Sequence, residues 1–425
     1  MKALLVVHGY PPERFGGTET YTRWLALSLA RRGRDVSVFT GTASPGEEYE
    51  LSKRQDGEVT VWTVRNTYSI HNEYEMHYHN PHIEKVFERV THEFKPDVVH
   101  FTYLLGGLSA GCLLVAKSAG AKTAVTLTDF HHLCAWGQLF TPDGVRCEGP
   151  QAGIRCASCF AGEDPYASVP WWKRYLIKLL PPNGRADKLH SPGIERMKTR
   201  LRYLHNVLEA ADAVIFPTES LARPYRRWGI DGKKAPYGID CSLFDGFERS
   251  SSDKVRFAFI GQLRPHKGLH VLTEALRGMA DIDTWTLDVY AAGDSEEEKR
   301  YLSESMDGLD ERVRYRAVFD PGEIRRVYEE TDILVVPSLW TENSPLVILY
   351  AMHTRTTLIA ADVEGIKEVG GDWGLYYPPD DAGALGKLLR RSATDPKMLN
   401  RPDAPKAPGI DEHAALVEKI YMEMQ

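Results

Sequence analysis

Short runs of apolar, β-branched residues alternate along this chain with segments in which apolar residues recur every three or four positions. They do so twice, once before about residue 215 and once after it. Runs of the first kind fit strands buried on both faces, and segments of the second kind fit amphipathic helices packed on them. The pattern predicts strands at Ala3–Val7, Val36–Thr40, Val59–Val64, Val98–Phe101 and Thr123–Leu127 in the first half. In the second half it predicts Val214–Phe216, Phe257–Ile260, Leu287–Ala291, Val313–Val318, Ile333–Pro337 and Thr357–Ala361. Alternating strands and helices build parallel sheets, so each half is expected to be a doubly wound, Rossmann-like α/β domain.

The first helix is the best defined. Thr18 is placed to cap it, Tyr21, Trp24, Leu25 and Leu29 share one face, and Arg31-Arg32-Gly33 closes it. A second such stripe, Leu269, Leu272, Leu276 and Met279, follows Gly268. The expected division is a first domain over 1–210, a second over 211–405 and a C-terminal helix over 406–425 that crosses back to the first. A stretch from Tyr166 to Leu204 interrupts the pattern with Trp171, Trp172, nine Lys/Arg and two acids, Asp187 and Glu195, around Pro181-Pro182-Asn183-Gly184. It reads as a solvated basic helical insert, or as an interfacial patch for peripheral contact with an anionic membrane.

Composition narrows the classes. The 425 residues carry 52 Lys+Arg against 59 Asp+Glu, a net charge of −7, and are 43% apolar, which fits folded domains and argues against nucleic acid as a partner. No run approaches the ~20 apolar residues of a membrane span. Met1 to His8 is too short for a signal segment and reads as the first buried strand of a cytoplasmic protein.

Three segments carry chemistry. Gly16-Gly17-Thr18-Glu19 opens the first helix, where two glycines admit a close backbone approach and the helix start offers free amides to an anion. No G-x-G-x-x-G follows the first strand and no G-x-x-x-x-G-K-[ST] occurs, so dehydrogenase and P-loop chemistry lose their support. Phe257–Ile260 leads into Gly261-Gln262-Leu263-Arg264-Pro265-His266-Lys267-Gly268, placing Arg264 and Lys267 at a strand's carboxyl end, where they can offset a diphosphate. Finally, the segment from Leu334 to Met352 reads as strand, polar loop and helix. It sets Glu342, Asn343 and Ser344 at a helix start begun by Pro345 and Leu346.

These three segments, in this order over nearly the whole chain, resemble the retaining twin-Rossmann (GT-B) glycosyltransferases of family 4. Pro96-Asp97-Val98-Val99-His100, Ala211-Asp212-Ala213-Val214-Ile215, read as opening the second domain, and Tyr237-Gly238-Ile239-Asp240 add to the resemblance. It implies two domains facing a central cleft. It also implies transfer of a sugar from a nucleotide-diphosphate donor, as co-substrate, to a glycan, lipid-linked or small-molecule acceptor, with retention of configuration. Arg264 and Lys267 would hold the donor phosphates, Gly16 and Gly17 would let amides approach them, and Glu342, Asn343, Ser344, Pro345 and Leu346 would contact the donor. Fixed cations and amides would stabilise the leaving diphosphate without a divalent metal.

Two positions depart from the family pattern. Where E-x7-E places a second carboxylate for the donor's ribose, this chain has Tyr350, and a phenol cannot grip a diol as a carboxylate does. A non-catalytic or weak nucleotide-sugar binder is therefore the second reading, and a nucleotide-sugar epimerase on the same frame a third. Where relatives carry His-Asp, this chain has Thr128-Asp129, followed by His131 and His132. Asp129 is the first-half candidate for a substrate contact and joins Glu342, Arg264 and Lys267 in the expected catalytic set.

The cysteines are concentrated. Cys134, Cys147, Cys156 and Cys159 follow C-x12-C-x8-C-x2-C, with turns at Pro142-Asp143-Gly144 and Gly149-Pro150, a spacing that suits structural zinc. Free reduced thiols and an iron–sulfur cluster are the alternatives, and Cys112 and Cys241 read as small buried residues. His71, His77, His79 and His82, with Glu73 and Glu75, lie in a polar loop entering a helix, where solvent or acceptor contact is the expectation.

Overall fold

The computed structural model describes residues 1–141, 144–150, 153–160, 191–293, 295–317, 321–395 and 404–424. The part of the basic stretch before Ser191, including Trp171, Trp172, Asp187 and the Pro181–Gly184 break, lies outside them, as do Pro142, Asp143 and Val318. The chain forms two compact units, Met1–Tyr237 with Ile410–Gln425, and Gly238–Gly409.

The first unit is built on an eight-stranded sheet of β1 (Lys2–Val7), β2 (Asp35–Thr42), β3 (Leu51–Asp56), β4 (Val59–Arg65), β5 (Val98–Phe101), β6 (Lys122–Thr126), β7 (Ala213–Phe216) and β8 (Lys233–Lys234). Their order is β3-β4-β2-β1-β5-β6-β7-β8, and every pairing is parallel except that of β3 with β4. The side chains of β1 from Ala3 to Val7 are buried, as are all four of β5, as strands covered on both faces require. From β1 the chain winds first toward β2 and later toward β5. The crevice at the carboxyl ends of β1 and β5 is therefore the topological switch point, where open α/β sheets take ligands.

The second unit carries β9 (Val255–Gln262), β10 (Trp285–Ala292), β11 (Val313–Arg316), β12 (Ile333–Val336), β13 (Thr357–Ala361) and β14 (Leu375–Tyr377), all parallel in the order β11-β10-β9-β12-β13-β14. Its switch point lies between β9 and β12.

The first domain does not end at residue 210. Ala213–Phe216, expected to open the second domain, adds to the first sheet through Ala124↔Ala213 and Val125↔Val214. Asp212 fixes this pairing. Its carboxylate accepts the Thr123 backbone N–H at 2.8 Å, the Thr123 hydroxyl at 2.9 Å and Lys117 Nζ at 2.7 Å.

The helix Ile410–Glu423 belongs to the first unit. His413 is buried between the Tyr21 hydroxyl, 2.8 Å from Nε2, and the Pro236 carbonyl, 2.7 Å from Nδ1. The Tyr421 hydroxyl lies 2.7 Å from Nδ1 of buried His100, and Glu418 accepts from both Arg32 and Arg34.

The first helix runs Gly17–Arg31, with Gly16 as its N-cap and no capping side chain; Thr18, expected as the cap, sits inside the first turn. The amides at this end are therefore not taken by a cap side chain.

Candidate functional site

The second unit's switch point is assembled from two loops. After β9 the chain makes a short 3-10 turn, Pro265–Lys267, and reverses at Gly268, which has φ +76°. A side chain is excluded there twice over, by the left-handed backbone and because a Cβ would lie 1.9 Å from the Pro337 carbonyl oxygen. This close approach brings Lys267 against the loop after β12.

Lys267 Nζ donates to Glu342 Oε1 at 2.7 Å, and the same oxygen accepts Ser338 Oγ at 2.7 Å and Trp340 Nε1 at 2.9 Å. The lysine also lies 4.9 Å from the Trp340 ring centroid. Burial by itself would favour the neutral acid. The Lys267 charge and the three donors outweigh it and hold Glu342 below the usual carboxylate range. The neighbouring His266 is pushed down to about 4, chiefly by burial and then by Lys267.

Glu342 is held from below as well. A Cβ at Gly365 would lie 1.6 Å from the Glu342 carbonyl oxygen and 3.1 Å from that of Asn343, so the loop rests directly on a glycine. Asn343 is buried and Ser344 half-buried, and the helix Leu346–Thr354 begins after Pro345 with no capping side chain. Arg264 is not joined to this pair: its guanidinium lies 3.5 Å from Glu297 and 3.4 Å from Glu298 and is 43% exposed.

Tyr350 is buried in an aromatic cluster, with ring centroids 5.6 Å from Phe244 and 5.9 Å from Tyr328. Burial and the nearby Asp240 carboxylate push its phenol far above the ordinary range, so it is neutral.

The first unit's switch point gathers ionisable groups from three adjacent strands. His8 follows β1, Tyr103 follows β5, and Asp129 with His131 follows β6. Buried Glu19, in the first turn after Gly16-Gly17, takes His8 Nε2 at 3.2 Å and Arg14 Nε at 2.9 Å on its Oε1. Burial would raise Glu19, but His8 and then Arg14 hold it below its ordinary value. The Tyr103 ring lies 4.0 Å from that of His8, and its hydroxyl is 2.7 Å from His131 Nδ1. Asp129 Oδ2 is 2.6 Å from the same Nδ1.

The family models for "Glycosyl transferase 4-like domain" and "Glycosyl transferases group 1" match residues 16–236 and 254–395; the second switch point lies within its matched segment, and the first match begins after β1, His8 and Arg14 and takes in Glu19, Tyr103, Asp129 and His131. A D-inositol 3-phosphate glycosyltransferase of Corynebacterium diphtheriae is 32% identical over 422 residues, covering 93% of this chain and 88% of that protein. This chain belongs to the family 4 GT-B glycosyltransferases.

The glycosyltransferase is also 33% identical over 154 residues to the D-inositol 3-phosphate glycosyltransferase of Corynebacterium glutamicum, a match covering 33% of this chain and 36% of that protein. A phosphatidyl-myo-inositol mannosyltransferase of Mycobacterium leprae is 26% identical over 179 residues, or 39% of this chain and 46% of that protein. These two matches therefore span less than half of each relative's length. Among solved structures, sucrose-phosphate synthase of Thermosynechococcus elongatus superposes with a TM-score of 0.64 at 19% identity over 100% of this chain and 97% of that one. Anabaena Alr3699/HepE, in complex with UDP and glucose, gives 0.65 at 16% identity over 99% of each chain. Both share the fold.

The expected zinc site is not assembled. Among the described residues no group of three or more His, Cys, Asp or Glu is placed to hold a metal ion, and none of the six cysteines is in a disulfide. Cys156 packs beside the apolar cluster of Ile154, Ala157, Ile194, Met197 and Leu201, while Cys147 Sγ donates to the Gly149 carbonyl at 3.5 Å. Apolar packing and a backbone bond hold these two thiols without a metal. The histidine-rich loop is likewise held by ring contacts: His71 and His82 stack at 4.4 Å, His82 and Tyr49 at 4.9 Å, and His77 and Tyr68 at 4.3 Å.

The sequence reading missed His8, Arg14, Glu19, Tyr103 and Gly365 as parts of these sites. The available signal was position, since His8 and Tyr103 each stand just past the carboxyl end of a predicted strand.

Proposed function

We propose that this glycosyltransferase moves a sugar from a nucleoside-diphosphate donor to a hydroxyl of a polyol, glycan or lipid-linked acceptor, with retention at the anomeric carbon. The observation that carries this reading is the Lys267–Glu342 pair at the switch point of the second unit, beside an uncapped helix start. In the reaction the bond from the anomeric carbon to the diphosphate oxygen breaks, a bond to the acceptor oxygen forms, and the hydroxyl proton is released. Negative charge grows on the diphosphate as it leaves. Lys267, a reoriented Arg264 and the helix start at Leu346, which has no capping side chain, are the groups available to stabilise it, and a site preorganised in this way requires no divalent metal. Glu342, Asn343 and Ser344 take the donor sugar, and Gly16-Gly17 lets the first unit's amides reach an anion. The structural neighbour crystallised with UDP and glucose supports a nucleotide sugar as donor, and the inositol-directed relatives support a polyol or inositol-lipid acceptor.

In this reading the reaction takes place in the cytoplasm, with peripheral contact to an anionic membrane through the basic aromatic stretch when the acceptor is a lipid. No helix among the described residues is long and apolar enough to cross a membrane. The test incubates purified protein with UDP-, GDP- and ADP-sugars and with myo-inositol, inositol phosphate and phosphatidylinositol vesicles. A glycosylated product whose anomeric coupling matches the donor's is expected. Transfer with inversion overturns retention, and absence of both transfer and donor hydrolysis overturns the enzyme reading. That last outcome favours the weak binder, the reading that Tyr350 supports because its phenol is buried among Phe244 and Tyr328.

A further inference from the structure

The loop that follows β6 holds one imidazole with unusual completeness. Asp129 uses both carboxylate oxygens on the same residue: Oδ1 accepts the His131 backbone N–H at 2.8 Å, and Oδ2 lies 2.6 Å from His131 Nδ1. The Tyr103 hydroxyl meets the same Nδ1 at 2.7 Å, with its ring edge-on to the imidazole at 76°. Gly137, at φ +74°, lies close against the ring, since a Cβ there would come within 2.6 Å of three of its atoms. The backbone is fixed too, by Tyr225 donating to the Asp129 carbonyl at 2.8 Å, by buried Arg200 donating to the His131 carbonyl, and by Phe130 N–H to Gly137 O at 3.1 Å.

These contacts dictate the tautomer. Burial would favour a neutral Asp129, but the contacts with His131, through its ring and its backbone N–H, hold the carboxyl below its ordinary value, and an ionised carboxylate only accepts. The proton between Oδ2 and Nδ1 therefore sits on the ring. In the neutral imidazole Nε2 is then a lone-pair acceptor, and among the described residues nothing hydrogen-bonds it. The side chain is 34% exposed, at the carboxyl end of a strand adjacent to the switch point.

We infer that His131 is the substrate-contacting residue of the first unit, its Nε2 accepting a hydrogen bond from an acceptor hydroxyl, and that Asp129 and Tyr103 are positioning residues acting through it. This revises the role expected of Asp129, whose oxygens are already engaged. The inference rests on the transferase reading for the word acceptor, but the geometry it asserts is testable without turnover.

The full chain labelled with [15N]histidine reports the ring tautomer, and His131→Gln assigns the resonance. The Nδ1–H form is expected, converting to a mixture in Asp129→Asn, and the Nε2 signal should move when myo-inositol or methyl glucoside is added to high concentration. An Nε2–H form, or a signal that neither polyol moves, overturns the inference whether or not the protein proves to be an enzyme. In transfer assays His131→Gln should raise the acceptor KM about tenfold, the usual effect of one lost hydrogen bond, with the donor KM unchanged. A change confined to the donor KM overturns the acceptor assignment, while a failure of wild-type protein to transfer any sugar counts against the transferase reading alone.

Discussion

Lys267 Nζ donates to Glu342 Oε1 at 2.7 Å across the point where the strand order of the second sheet reverses. The two residues stand 75 positions apart and arrive from neighbouring strands, β9 and β12. The two charges neutralise one another, and in the proposed function Lys267 turns its charge toward the donor diphosphate.

Removing the lysine leaves a largely buried carboxylate without its counter-charge. Lys267→Ala is expected to cost about 3 kcal/mol of stability, the range for half of a buried pair. The double variant with Glu342→Gln should recover part of that loss. Urea denaturation of the four-member cycle measures the coupling; additivity of the two single effects would mean that the pair is solvent-screened.

Gly365 touches no substrate in this account, yet it determines where Glu342 sits. Gly365→Ala drives a methyl into the Glu342 carbonyl, so the loop must shift. The variant is expected to lose about 2 kcal/mol of stability and to weaken donor binding at least tenfold. Donor affinity equal to wild type in calorimetry would separate the loop's position from its function.

Tyr350 packs against Phe244 and Tyr328 with Asp240 nearby. Tyr350→Glu, the change that restores the family pattern, would bury a carboxylate among aromatic rings beside another acid. It is expected to destabilise the protein by about 3 kcal/mol or to raise the pKa of the new acid. Tyr350→Phe should alter donor affinity by less than threefold if the phenol packs rather than binds. A large loss in Tyr350→Phe would instead make the hydroxyl a donor contact.

Three histidines of the first unit are buried in their neutral form. Burial is the leading cause in each: it pushes His100 and His132 down to about 3 and His413 down to about 4. Their folded values lie below the ordinary 6.5, so the unfolded chain binds more protons in the interval and stability falls as pH drops through it. Each costs about 1 kcal/mol over the first pH unit below 6.5, where the unfolded imidazole goes from half to nearly fully protonated, so about 3 kcal/mol should be lost between pH 6.5 and 5.5. Denaturation midpoints at these two pH values measure it, and His413→Asn should reduce the slope by about a third. A flat profile would mean that these rings are solvated.

Most strands were legible because two-sided burial demands unbroken apolar runs: Val98–Phe101 and Thr357–Ala361 fall where the pattern put them. Leu51–Asp56 was not, since an edge strand with Lys53, Arg54 and Gln55 has no such run, and neither was Lys233–Lys234. The domain boundary was misplaced because Ala213–Phe216 is equally apolar whichever sheet receives it; the choice is made by Asp212 and Thr123, which are distant in sequence. The loops after β9 and β12 were legible from charge placed after a strand. The Glu19–His8–Arg14 group and the Tyr103–His131 contact were not, since each depends on which strands become neighbours.

In the proposed function the second switch point grips a nucleoside diphosphate through Lys267. Calorimetric titration of wild type and Lys267→Ala with UDP, GDP and ADP tests it most directly. One nucleotide should bind the wild type and lose at least tenfold in affinity in the variant, as expected for a charge-assisted contact worth about 1.5–3 kcal/mol. Equal affinity of the two proteins for every nucleotide that binds would contradict the account.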